Sequence, residues 1–345
     1  MTPAAALALK IPISLLPVCL FVVSLIYLDS YKLVRLRQIL VVVGGGCIAA
    51  ALSWAANHAL LDQAGMSQQA MTRYAAPLVE EIFKALPILL LLRRKGIGFL
   101  VDAAIFGFAS GAGFALFENL YYLQAVSDPA LALWVVRGCG TAVMHGGTTA
   151  IFATTTKVMF ERKESDALWL AFPGLGIAFA IHSLFNQFVL PPVASAAVVM
   201  LVLPPIFMLV FAQSERFLQS WLGRGFDIDS ELLEALHLGE FTHSRAGRYL
   251  QTLREHFEPS MLADMICYLR LHAELSLRAK GVLLMREKGF PIERDPEVEA
   301  KLKELRFLET SIGKTGELAL APVLHHSAHD LWQLRMLESS EGVTS

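Results

Sequence analysis

Charge is scarce in this chain: 17% of its 345 residues are Asp, Glu, Lys or Arg, against about a quarter in an ordinary soluble domain. The formal net charge of -2 offers no field to hold a polyanion, which argues against nucleic acid as a partner. Cysteine is scarce too. Cys19, Cys47, Cys139 and Cys267 show no CxxC or paired spacing, so neither a disulfide scaffold nor a cysteine-rich zinc site is expected. There is no HExxH pair and no GxGD aspartyl motif, and the nearest approach to GxSG, Gly107-Phe108-Ala109-Ser110-Gly111, is one residue too long. No internal repeat or low-complexity tract is evident.

What the chain has in abundance is apolar sequence, 55% of the total, and it is unevenly placed: only 23 of the 60 charged residues fall in residues 1–213. Runs of about 17–25 apolar residues are long enough to cross a bilayer as helices. Seven lie near Ile11–Leu28, Ile39–Asn57, Tyr74–Leu92, Phe99–Gln124, Gly138–Phe160, Leu168–Leu190 and Val193–Gln213. The first has one basic flank, Lys10, and no small-x-small cleavage site before Lys32, so it reads as a retained span. The expected architecture is all-α, a polytopic membrane bundle over residues 1–213. Residues 214–345 follow as a small helical domain, with apolar positions at helical spacing and breaks at Gly239, Pro259, Gly289–Pro291 and Pro296. Basic residues cluster in alternate connections: Lys32, Arg35 and Arg37, then Arg93, Arg94 and Lys95, then Lys157, Arg162 and Lys163. By the positive-inside rule the N-terminus lies outside and the C-terminal domain in the cytoplasm.

Ionisable groups in such spans are costly, by about 2.5–3.5 kcal/mol on insertion scales, and their default reading is functional. Four spans carry them: Glu80, Glu81 and Lys84 in the third, Glu118 with Asn119 in the fourth, His145 in the fifth, His182 and Asn186 in the sixth. At about 1.5 Å per residue, Glu81 and Glu118 lie about 8–9 Å, and His145 and His182 about 12 Å, from the outer span ends, forming one polar layer. Arg137 is expected to snorkel to the outer interface. His182 and Asn186 share a face at i,i+4, and Lys84 is within reach of both glutamates. Adjacent glutamates point about 100° apart. One of Glu80 and Glu81 therefore aims at a reacting bond, and Glu81 is favoured.

The set Glu80-Glu81-x-x-Lys84, Phe114-x-x-x-Glu118-Asn119, His145 and His182-x-x-x-Asn186 resembles the PrsW family of intramembrane proteases. That family is a branch of the superfamily containing CAAX prenyl endopeptidases and bacteriocin-processing enzymes. The resemblance covers about residues 70–190 and implies hydrolysis of membrane-anchored proteins, such as anti-sigma-factor-like regulators, in a bacterial inner membrane. It makes Glu80 or Glu81 the water-activating base and places Glu118 where the prenyl-protease branch has a histidine. His182 and Asn186 become oxyanion stabilisers.

Two mechanisms stay open. Glutamate-activated water needs no metal, whereas His145, His182 and Glu118 are also a ligand set suited to a divalent metal such as zinc. Two other readings compete: a proton-coupled secondary transporter using the same Glu/His cluster, and a structural interhelical hydrogen-bond network. In the tail, His325, His326 and His329 with Asp330 are a further metal candidate, set against an ordinary solvated helix surface.

Overall fold

The computed structural model describes residues 3–126, 130–292, 295–324 and 328–341, which contain helices and no strand. The helices are α1 (Pro3–Leu28), α2 (Leu36–Ala64), the single turn α3 (Gln68–Ala70), α4 (Ala76–Arg93), α5 (Leu100–Ala125), the short α6 (Leu131–Val135), α7 (Ala142–Arg162), α8 (Phe172–Phe185), α9 (Pro192–His237), α10 (Arg245–Thr252), α11 (Pro259–Glu287), α12 (Pro296–Leu320) and α13 (Ala328–Glu341). π-helical turns at Met71–Ala75 and Val136–Thr141 lead into α4 and α7.

Among the described residues, five helices are long and apolar enough to cross a membrane: α1, α2, α5, the Leu168–Phe185 segment ending in α8, and α9. The other two expected spans are helical but polar. α4 carries Glu80, Glu81, Lys84 and Arg93 within 18 residues, and α7 mixes His145, several threonines, Lys157, Glu161 and Arg162 into its length. Leu20, Leu40, Val41, Leu184 and Leu201 are exposed. Such an apolar exterior suits hydrocarbon and not water. The protein is an integral, multi-pass membrane protein.

By contact the chain divides into two compact units, Met1–Ser214 and Glu215–Ser345. At the centre of the first is α5, buried along most of its length and packed on α7, α2 and α1. Glycine makes this approach possible. A Cβ on Gly111 would strike the His145 carbonyl of α7, and one on Gly46 the Ser110 carbonyl of α5. Small residues at such crossings are how membrane helices gain close backbone packing. Asp102 is buried and accepts the Gly98 and Phe99 N–H groups at 2.9 and 3.2 Å.

The second unit packs α11 against α12 and α13 over a core that includes Leu269, Leu275, Leu283, Ile312 and Leu320. A polar knot lies inside it. Lys280 Nζ is 2.5 Å from Asp229 Oδ2, Ser276 Oγ donates to that oxygen, and Gln333 Nε2 donates to Ser276 Oγ at 2.9 Å. The His329 ring packs at a tilt against those of Phe217 and Trp221, while His325 and His326 lie outside the described residues.

Candidate active site

Four helices bring the site together: α4 with its two glutamates and Lys84, α5 with Glu118, α7 with His145, and α8 with His182. Glu81 is 2% exposed. Its Oε1 accepts from Lys84 Nζ at 2.5 Å and from Thr148 Oγ1 at 3.2 Å, and lies 2.8 Å from His182 Nδ1. Lys84 also reaches His145 Nδ1 at 3.1 Å. The His145 and His182 rings stand perpendicular, 4.8 Å apart. A buried charge is tolerable only when paired and hydrogen-bonded, and Lys84, which is 0% exposed, meets that condition through Glu81 and the ring of Phe114 at 5.0 Å.

Glu80 is placed differently. It lines a cavity of about 470 Å³ together with Glu118, Arg137, His145, His182 and Asn186, whereas Glu81 does not reach that wall. Of the two adjacent glutamates, then, the one facing open space is Glu80, the reverse of the preference read from sequence. One ligand atom each from Glu80, His145 and His182 lies within 4.8 Å of the others, and His182 Nε2 is 3.7 Å from Glu80 Oε2. The sequence had put Glu118 in that set. Glu118 instead stands beside it, its Oε2 3.1 Å from His145 Nε2 and its side chain 25% exposed.

Arg137 lines the cavity. Its guanidinium stacks 3.8 Å over the Tyr122 ring, its Nε donates to Asn119 Oδ1 at 2.9 Å, and one terminal nitrogen is 3.3 Å from Glu118 Oε2. Asn119 in turn donates to the Ser14 carbonyl at 2.8 Å, tying α5 to α1. Sequence reading missed this link. Asn186, the C-cap of α8, lines the cavity but donates its amide to the Thr72 carbonyl at 3.1 Å, so that amide is committed to the turn before α4.

Two imidazoles and a carboxylate fit a divalent metal by donor chemistry, giving three protein ligands and a position open to the cavity. The carboxylate of Glu81 on the far nitrogen of His182 is the kind of outer contact that fixes the orientation of a ligating histidine.

The family profile described as PrsW family intramembrane metalloprotease matches residues 34–212, more than half of the chain. The chain belongs to the PrsW family. Neither the curated proteins nor the solved structures yield a significant match. The matched segment holds every group of the cluster, and a PrsW-family assignment makes the protein an intramembrane protease, of the metal-dependent kind by family name.

Proposed function

We propose that the protein hydrolyses a peptide bond in membrane-anchored proteins, the anti-sigma-factor-like regulators being the substrate class implied by the family resemblance, at a metal centre formed by Glu80, His145 and His182. The observation that carries this is the convergence of those three donors within 4.8 Å on the wall of a cavity. A bound divalent metal would polarise the scissile carbonyl and lower the pKa of water. Glu118, next to the cluster and open to the cavity, is the general base: it takes the proton of the attacking water and delivers it to the departing amine. Glu81, held by Lys84 and Thr148, orients His182 through Nδ1, and Lys84 fixes the ring of His145. Residues 1–213 act as the protease domain. In this reading α4 and α7 cross the membrane inside a shell of more apolar helices, giving seven spans, an external N-terminus and a cytoplasmic C-terminal domain.

The test is cleavage of a single-span reporter by detergent-purified protein, with the metal content of each sample measured. Wild type cleaves, chelation abolishes cleavage, and added divalent metal restores it. Glu80→Gln and His182→Ala lose metal and at least about a hundredfold in rate, a factor of ten being about 1.4 kcal/mol of barrier. Chelator-resistant cleavage would remove the metal from the mechanism, and full activity in both variants would remove the site.

A further inference from the structure

The cavity is a groove along one face of α2. Ala50, Ser53, Trp54, Asn57, His58 and Leu61 all line it, a helical stripe about 16 Å long at 1.5 Å per residue. That length accommodates about five residues of extended chain. The Ala50 end adjoins the cluster, since Ala50 packs with Phe114, whose ring is 5.1 Å from that of His145.

Within this stripe two oxygens are buried and lack a hydrogen-bond partner, Ser53 Oγ and Asn57 Oδ1. Ser53 is 1% exposed. Serines on α1 behave otherwise: Ser24 Oγ donates to the Leu20 carbonyl at 2.9 Å and Ser14 Oγ to the Ile11 carbonyl at 3.0 Å, the usual way a serine in an apolar helix satisfies itself. A buried polar atom left unpaired costs about 1–3 kcal/mol, and both of these oxygens can accept from a donor that a ligand supplies.

We propose that Ser53 and Asn57 form a subsite for the unwound main chain of the substrate, accepting hydrogen bonds from two of its peptide N–H groups beside the scissile bond. This deepens the proteolytic reading and rests on it. A membrane-spanning substrate satisfies its amides within its own helix, and cutting it requires that a few residues open. Each freed N–H then needs an acceptor where water is sparse. The spacing matches: Ser53 and Asn57 are about 6 Å apart along α2, and N–H groups on one edge of an extended chain recur every two residues, about 6.6 Å. The ligand class is thus a strand-like peptide backbone, with Trp54 and His58 flanking it on the same wall.

The test uses the full-length protein in detergent and a single-span peptide that it cleaves, with the cut mapped by mass spectrometry. Ser53→Ala and Asn57→Leu each lower kcat/KM by roughly three- to tenfold, the worth of one such hydrogen bond, while Ser24→Ala on α1 leaves it unchanged. In a series of peptides with an ester oxygen replacing one amide N–H at a time, wild type loses a similar factor at two positions, two residues apart. Ser53→Ala is insensitive to one of these esters and Asn57→Leu to the other. A flat ester series on the wild type overturns the subsite whatever the variants do, as do variant and ester losses that multiply at every position. In either case wild-type cleavage and its dependence on Glu80 survive. If the wild type cuts no peptide, the proteolytic reading and the subsite fall together.

Discussion

Glu80 and Glu81 are neighbours in sequence and take different work in the bundle, because a 100° turn of helix sends one to the cavity and the other into the contact between α4, α7 and α8. Sequence alone indicates that only one aims at a bond. Which one depends on where α7 and α8 sit, and that is tertiary information. Arg137 shows the same limit. Eight residues before His145 on an ideal helix it stands about 80° away and reads as an interface anchor. The π-helical turn at Val136–Thr141 inserts about one residue of extra phase and brings it to about 20° of the His145 direction, over Glu118. If Arg137 holds that base in place, Arg137→Gln lowers kcat by about ten- to a hundredfold, as expected for loss of a charged hydrogen bond of about 1.5–3 kcal/mol. KM and metal content stay as they were. A double-mutant cycle checks the route: added to Glu118→Gln, the Arg137 change costs little more. Independent, multiplying losses would show that Arg137 acts elsewhere.

At the level of elements, the convergence of α4, α5, α7 and α8 depends on how closely α5 and α7 approach, and that distance is set by glycine. Gly111 sits against the His145 backbone with no room for a methyl group, and backbone cannot yield as the tip of a side chain can. Gly44, on α2, has open space around it. Gly111→Ala must therefore push α7 away from α5, at a cost of about 1–3 kcal/mol for overpacking, and carry His145 away from Glu118. The expected result is reduced metal occupancy and a loss of cleavage well beyond what the drop in melting temperature explains. Gly44→Ala, with the same chemical change on an open face, retains both. In sequence, Gly107 and Gly111 stand four residues apart, the spacing of a small-residue stripe on one helix face, and so the stripe itself was legible. Its partner was not, since a small-residue stripe says that something approaches and leaves open which helix does.

On the scale of the whole molecule, charged residues are sparse in residues 1–213 and dense after them, and contacts divide the chain into Met1–Ser214 and Glu215–Ser345. The seven apolar runs of the sequence correspond, among the described residues, to five helices long and apolar enough to cross a membrane, α4 falling short through its charged residues and α7 through its threonines, glycines, His145 and Lys157. The polar knot of the second unit escaped sequence reading altogether, since Asp229, Ser276, Lys280 and Gln333 come from three helices far apart in the chain. It yields a test of whether the two units stand on separate cores. Breaking a buried ion pair by removing one partner costs about 3–5 kcal/mol, and replacing both by apolar groups recovers much of that. Asp229 keeps 16% side-chain exposure, which favours the low end. Lys280→Met should thus lower the unfolding transition of the Glu215–Ser345 unit, and Lys280→Met with Asp229→Leu should restore most of it, as read by scanning calorimetry. The metal content stays at the wild-type value in both, because Glu80, His145 and His182 all belong to the Met1–Ser214 unit. Loss of metal in the single variant, regained in the double, would mean instead that the site depends on the second unit for its integrity.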